Sequence, residues 1–414
     1  MDQFCDERTS KYKYNTVSDL SSGIVTFDSI GGKMDFTFND SQKLFYDSVV
    51  KFAKKELSAD SVEREKKGEF FREGWNKCAE FGLLALPVPK EYGGLGMDIL
   101  SCVLTMEGLG YACKDSGLLF ALNSHVWTCI IPILNFGTEE QKKKYLPLMC
   151  KGEIIGGHAM TEPNAGSDAF SIRTTAVRHS DRYILNGTKI FISNAPIADL
   201  LIVFARSGEK KGFAGITAFI VEKDYPGFSV GKPFEKMGLR TAPSGEVILA
   251  DCEVPAENRL GREGGGSALF NSEMEWERSC LFATHLGAME AQLEACVKYA
   301  KQREQFGTSI GKFQAVSSMI ADMKVRIELS KLILYKVAWM KSQGKRAPLE
   351  SAIAKLYLSE SFVQSSLDAI QIHGGYGYMV EFEIEKYLRD AVAGKIYSGT
   401  SEIQRNTIAS WLGL

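Results

Sequence analysis

Metal-ligand and nucleotide-binding signatures are what this sequence lacks. Its five histidines, His125, His158, His179, His285 and His373, are scattered. A metal centre is therefore not expected. No GxxxxGKS or GxxxxGKT phosphate loop occurs. The nearest approach to a dinucleotide fingerprint, Gly374-Gly375-Tyr376-Gly377, misses the GxGxxG spacing and follows no strand pattern. That argues against a doubly wound nicotinamide-binding domain. The nine cysteines are odd in number and include no CxxC pair, which suits free thiols in a reducing compartment. No apolar run approaches the roughly 20 residues of a membrane span. The acidic start, Met1-Asp2-Gln3-Phe4-Cys5-Asp6-Glu7, resembles neither a signal nor a transit peptide. A cytoplasmic location with no membrane span is expected. A net charge of −2 excludes a global field for nucleic acid.

What is present is an ordinary globular mix, 45% apolar and 24% charged, on a chain too long for one core. Residues 1–35 are mostly polar and read as a weakly ordered leader. From 36 to 150 the apolar residues recur at three and four, as in Phe45, Val49, Phe52 and Ala53. Asn39 with Gln42, and Thr138 with Gln141, form capping boxes that open helices. Between 151 and 268 the pattern changes to short β-branched and aromatic runs, among them Ile190-Phe191-Ile192, Leu200–Phe204, Ile216–Val221 and Glu246–Leu249. Gly261–Gly266 closes this β segment. From 269 to 414 the helical period returns, with Leu286, Met289, Leu293, Val297 and Ala300 on one stripe and Val316, Met319, Ile320, Met323 and Ile327 on another. Such wide apolar faces need partners, so a helical bundle is expected. The fold class is α+β, in the order helical, β, helical.

Four segments could carry chemistry. Met160–Asp168 gathers turn formers, small residues and hydroxyls into one loop that could approach a flat polar ring; it could equally be a plain interdomain loop. Asn186–Asn194 reads as a tight turn entering a strand, with Phe191 and Ser193 on one face because strand side chains alternate. Most such strands simply build core. Arg303–Gly307 ends a helix, where Arg303 and Gln305 could hold phosphate oxygens or form a solvated last turn. Gln371–Gly377, followed by Ile396–Arg405, sets glycines and hydroxyls at loop-to-helix junctions that could present N–H groups to an anion or act as ordinary caps.

Taken together and in order, Met160-Thr161-Glu162-Pro163-x-Ala165-Gly166-Ser167-Asp168, Arg303-x-x-Phe306-Gly307 and Tyr397-x-Gly399-Thr400-Ser401 resemble the acyl-CoA dehydrogenase family. The likeness runs from about residue 38 to the C-terminus. It implies an N-terminal helical domain, a central β domain, a C-terminal four-helix bundle, and FAD bound at their junction in a homotetramer or homodimer. By the same likeness His158, Met160 and Thr161 would lie along the flavin, Phe191 near it and Ser193 beside it. Arg303, Gln305 and Phe306 would contact the cofactor from the bundle, with Gln371, Gly375, Thr400 and Glu402 completing the site. Ser167 would stand between cofactor and thioester, and Arg278 would line the substrate channel.

The reaction so implied removes a proton and a hydride from adjacent carbons of an acyl thioester. The weakly acidic α-proton calls for a carboxylate, made more basic by desolvation, and for donors to the enolate oxygen. Many family members place that Glu in a Tyr-Glu-Gly-Thr segment, whereas this chain has Tyr397-Ser398-Gly399-Thr400. A minority, of the isovaleryl type, carry it immediately before an Arg on a helix, and Glu277 matches that position. Glu275 is the fallback, and Glu275, Arg278, Tyr397, Ser398 and Gly399 are expected around the substrate. The Met274-Glu275-Trp276-Glu277-Arg278 stretch is similar to family members acting on carrier-protein thioesters, prolyl ones included. The residues leave open CoA against carrier protein, and electron-transfer flavoprotein against oxygen as acceptor. They equally leave open an oxidase, a reductase or a catalytically inactive flavin-binding scaffold.

Overall fold

The computed structural model describes residues 38–208 and 212–414; the expected leader lies outside the described residues. Helices precede and follow a single mixed sheet. The first group is α1 (Asp40–Glu56), α2 (Ser61–Lys67), α3 (Arg72–Phe81), α4 (Ile99–Ala112), α5 (Ser116–His125), α6 (Ile131–Phe136) and α7 (Glu139–Cys150). Asn39 and Thr138 form complete capping boxes on α1 and α7, as their local sequence dictates.

The strands are β1 (Gly156–Ala159), β2 (Thr175–His179), β3 (Arg182–Ser193), β4 (Leu200–Ser207), β5 (Ile216–Glu222), β6 (Phe228–Pro233), β7 (Ser244–Pro255) and β8 (Arg259–Leu260). Their order is β6-β7-β3-β2-β4-β5-β8, with β1 parallel to β4. β4 and β5 are buried on both faces. Leu201, Val203, Phe219 and Val221 pack into the sheet's own core, while Leu200, Ile202, Phe204, Ile216 and Ile220 join the helical core. This double burial explains their unbroken apolar runs.

The last group begins with α8 (Gly266–Gln302), continues through the hairpin β9 (Glu304–Gln305) and β10 (Thr308–Ser309), and ends with α9 (Gln314–Ser342), α10 (Pro348–His373), the single turn α11 (Gly375–Tyr378), α12 (Ile384–Gly394) and α13 (Ser401–Trp411). Two glycines let α4 and α8 approach at backbone distance. A Cβ on Gly110 would lie 2.0 Å from the Thr284 carbonyl oxygen, and one on Gly287 would lie 2.0 Å from that of Glu107. Across this crossing Tyr335 donates to Glu107 at 2.6 Å, tying α9 to α4.

Two sequence expectations change here. Asn186-Gly187 is no turn: it sits within the 12-residue β3, where the pairing with β7 slips between Leu185 and Gly187. The turn-forming pair makes a bulge, and the neighbouring strand absorbs it. An apolar stretch of membrane-spanning length also exists. Ser116–Phe136 runs through α5, a π-helical turn (Val126–Ile130) and α6, but 89% of its most apolar window is buried inside the protein. Asn123, Ser124 and His125 interrupt it, and burial identifies it as a core helix. The eight described cysteines are all free and buried.

Gly110→Ala forces the α4–α8 backbones apart. It is expected to cost about 1–3 kcal/mol, the range for overpacking a tight core, and to appear as a lowered Tm in calorimetry. An unchanged Tm would show that the crossing is looser than these distances.

Candidate active site

Glu162 and Lys189 hold two of the sequence motifs together. Glu162 accepts from the N–H groups of Arg173 (2.6 Å) and Thr174 (2.9 Å), from the Thr174 hydroxyl, and from Lys189 Nζ at 2.8 Å. Lys189 is fully buried and also donates to the Met160 carbonyl at 3.1 Å. Burial works against the Glu162 charge, but Lys189 and the hydrogen bonds prevail and hold the carboxyl below its ordinary value. Burial draws Lys189 down to about 8, against the pull of Glu162. The Met160–Asp168 loop is thereby pinned against β3. Met160 itself is buried, Thr161 half-buried and Ser167 exposed.

Just past Lys189 the β3–β7 register slips again, before Ile192. Phe191 takes φ 59° at this bulge, and its ring is 65% exposed despite its size. Ser193 lies on the same side, half-buried. An outward aromatic on a strained backbone, beside a pinned polar loop, is the kind of surface on which a planar ring can lie.

The C-terminal helices contribute a second group. The three glutamates of α8 lie in its third and fourth turns, because the helix begins at Gly266 and not at Glu273. The helix dipole at an N-terminus therefore does not account for them. Glu275 is buried and fully engaged: Arg346 Nη2 lies at 3.2 Å, the Ala347 N–H at 3.3 Å and Lys341 Nζ at 3.5 Å. It ties α8 to the α9–α10 connection and faces away from Glu277, two residues and about 200° further around the helix. Glu273 is buried as well, on the same face as Glu277, with Oε1 2.6 Å from His158 Nε2. Of the three carboxylates, only Glu277 keeps an accessible edge. Burial raises its pKa, while the nearby charges of His158, Arg278 and Lys355 oppose that rise.

The 397–399 loop stands against Glu277 in a strained form. Ser398 has φ 56° and Gly399 φ 85°. Arg278 Nε donates to the Ser398 carbonyl at 3.0 Å, and Gln404 Nε2 donates to the Ser398 and Gly399 carbonyls at 3.1 and 2.9 Å. The N–H groups of Ser398 and Gly399 make no backbone hydrogen bond among the described residues, and the Ser398 hydroxyl is buried without a partner. Tyr397 meets His285 Nε2 at 2.8 Å and packs on Phe120, ring centroids 5.0 Å apart. Both line a cavity of about 200 Å³ with Leu281, one turn beyond Glu277. Thr400 caps α13 through the Ile403 N–H, and Glu402 is exposed in its first turn.

The remaining expected contacts lie apart. Arg303, Gln305, Gly374 and Gly375 border an open cleft of about 560 Å³. Phe306 is 95% exposed at the turn between β9 and β10, and Gln371 is exposed nearby on α10. No hydrogen bond or ring contact joins these residues to the Phe191 surface among the described residues. Sequence reading missed Glu162–Lys189 and His158–Glu273. The members of each pair are far apart in sequence, and only the fold brings them together.

The chain matches the family models of the acyl-CoA dehydrogenase N-terminal domain over residues 39–153, middle domain over 157–252 and C-terminal domain over 264–413. It is 43% identical over 382 residues to an L-prolyl-[peptidyl-carrier protein] dehydrogenase of Pseudomonas fluorescens, covering 92% of this chain and 100% of that protein. The structure of the prolyl acyl carrier protein oxidase AnaB is similar at TM-score 0.90 and 52% identity, covering 91% of this chain and 100% of that one. A structure of PigA with FAD and proline aligns at TM-score 0.90 and 41% identity, covering 92% and 100%.

Lys189→Met leaves the Glu162 carboxylate buried without its counter-charge. The expected cost is about 3–5 kcal/mol, as for other broken buried pairs, read as a lower denaturation midpoint. Loss of bound chromophore at 450 nm should accompany it. With the β3 bulge, the pinned loop and the α8 carboxylates in place, and three domain models matched in order, this chain belongs to the acyl-CoA dehydrogenase family.

Proposed function

We propose that this enzyme oxidises the Cα–Cβ bond of a carrier-protein-linked aminoacyl thioester, with Glu277 as the base and FAD as hydride acceptor. The observation that carries the reading is the arrangement around Glu277: a desolvated carboxylate with one open edge, beside a strained loop with free N–H groups. Several features fit FAD. Phe191 and Ser193 offer an outward face next to His158, Met160 and Thr161. Open space over Gly374 and Gly375 adjoins Arg303. When bound, FAD supplies the two-electron acceptor.

The chain's own residues do the rest. Glu277 takes the α-proton, its basicity raised by loss of water. The Ser398 and Gly399 N–H groups donate to the thioester carbonyl as charge builds on its oxygen. Arg278 and Gln404 hold that loop in its strained shape. Ser398, smaller than the Glu of many relatives, leaves room for the acyl group, with Tyr397 beside it. Ser167 and Arg278 line the approach of the thioester arm. The prolyl-carrier relatives and the modest cavity beside Tyr397 support a short or five-membered-ring acyl group.

A single chain does not bring the exposed Phe306, Arg303, Gln305, Gln371 and Gly375 to the Phe191 surface. A homotetramer or homodimer in which a second copy supplies them completes the cofactor site, with Thr400 and Glu402 on the first copy. Electrons leave to an electron-transfer flavoprotein or to oxygen, which stopped-flow reoxidation with each acceptor separates. The free cysteines support a cytoplasmic enzyme.

Glu277→Gln should keep its FAD spectrum and Tm. Anaerobic bleaching by prolyl-carrier thioester should slow by about 10²–10⁴-fold, the usual span for removing a general base. Near-normal bleaching in this variant would sink the assignment. A wild-type protein that no CoA- or carrier-linked thioester bleaches would identify a flavin-binding scaffold instead.

A further inference from the structure

His158 and Glu273 form a buried pair that proton abstraction by Glu277 does not itself require. His158 lies on β1, its ring edge-on to Phe204 (centroids 5.1 Å apart) and stacked on Phe270 (5.9 Å). These rings fix the imidazole, and Phe270 stands one turn before Glu273 on α8. Nε2 of His158 is 2.6 Å from Oε1 of Glu273, whose side chain has no solvent exposure. The contact is not in line with a ring N–H, and neither Glu273 oxygen has another donor among the described residues. Glu273 therefore has one cationic neighbour and no alternative. Glu277, four residues on, shares its helix face, where i and i+4 side chains stand about 6 Å apart.

We propose that Glu273 is a positioning residue that keeps His158 charged and turned toward the α8 face, so that the imidazolium holds Glu277 ionised in its desolvated pocket. This rests on the reading of Glu277 as the base. The other groups facing Glu277 are Arg278 on its own helix, Lys355 from α10, and Ser398 and Tyr397 from the loop; Lys189 from β3 faces His158. Lys355 is buried and has no hydrogen-bond partner among the described residues, so it does not hydrogen-bond Glu277. Burial pulls the His158 imidazole down, and Glu273 overrides it to leave the group above its ordinary value. Burial likewise pushes Glu273 up, to about 7, despite His158. Each member of the pair thus favours a shared proton over its loss. Without Glu273, only Glu277, outside ion-pair distance, opposes the burial that discharges the imidazole.

The sign of the effect makes the idea testable. Loss of the imidazolium raises the pKa of Glu277, so the acid limb of kcat/KM moves to higher pH. Loss of the Glu273 charge alone would move it to lower pH. The direction therefore reports which member of the pair faces the base. In FAD-loaded Glu273→Gln, the acid limb for bleaching by prolyl-carrier thioester should rise by about one pH unit, a tenfold fall in rate below the limb. Deuterium uptake at the α-carbon of a thioester lacking β-hydrogens reads proton transfer without hydride transfer, and should shift equally. His158→Phe should shift both in the same direction, and the double variant no further. An unmoved or lowered limb in Glu273→Gln overturns the proposal. So does loss of FAD in Glu273→Gln together with an unshifted limb in His158→Phe, which would mark a purely structural pair. Wild-type enzyme that bleaches and exchanges normally separates these failures from failure of Glu277 as base; wild-type enzyme that does neither overturns both.

Discussion

Glu162 and Lys189 are buried together, 27 residues apart in sequence, and the site depends on that pairing. A carboxylate and an ammonium removed from water are each costly, and only close, fully hydrogen-bonded pairing offsets the loss. Glu162 meets that condition with four donors from three residues. The outcome is geometric more than energetic. The Met160 carbonyl, the start of β2 and the middle of β3 are fixed to one point. The bulge that turns Phe191 outward begins directly after the lysine. A shift of this ion pair would move the polar loop and the aromatic face together, so a flat ligand meets a surface assembled by one buried contact.

The electrostatics of the α8 side follow the same logic with a different result. Around Glu277 no single donor set completes the carboxylate. It is left desolvated, with positive charge nearby but no saturating hydrogen bonds. A carboxylate stabilised as Glu162 is would be too weak a base to take a carbon-bound proton; one left without neighbours would hold its own proton. Partial compensation by Arg278, Lys355 and His158 keeps Glu277 between these limits. The clamp of Arg278 and Gln404 on the Ser398 carbonyl serves the same end. It turns backbone acceptors toward protein donors and leaves backbone donors free.

Local features were legible in the sequence. The capping boxes at Asn39 and Thr138 are closed by residues three positions away, and the runs in β4 and β5 announce burial without reference to anything distant. The order helical, β, helical follows from periodicity alone. What was not legible was set by long-range partners. Asn186-Gly187 has turn chemistry, yet pairing with β7 converts it to a bulge. Nothing near Lys189 in sequence supplies the counter-charge that burial requires; Glu162 stands 27 residues away. Nothing in the Ser398 side chain announces φ 56°, which Arg278 enforces from 120 residues away. Nothing local separates the roles of the three α8 glutamates, because the partners of Glu273 and Glu275, on β1 and at the α9–α10 connection, are distant in sequence.

Those glutamates show how one short stretch of helix can supply three functions. Successive residues turn by about 100°, so Glu273 and Glu277 share a face while Glu275 points nearly opposite. Glu275 anchors α8 to the α9–α10 connection, and the Gly110–Gly287 crossing anchors it to α4. The helix bearing Glu277 is therefore fixed on two sides before any substrate arrives. A base on such a helix keeps its place when the 397–399 loop adjusts, whereas a base on that loop would move with the carbonyl donors. Under the proposed assignment, a carboxylate on α8 and a serine on the loop separate two tasks: the helix sets where the proton goes, and the loop is free to fit the thioester oxygen. The strained Ser398 backbone is then maintained for its N–H groups, not for its side chain.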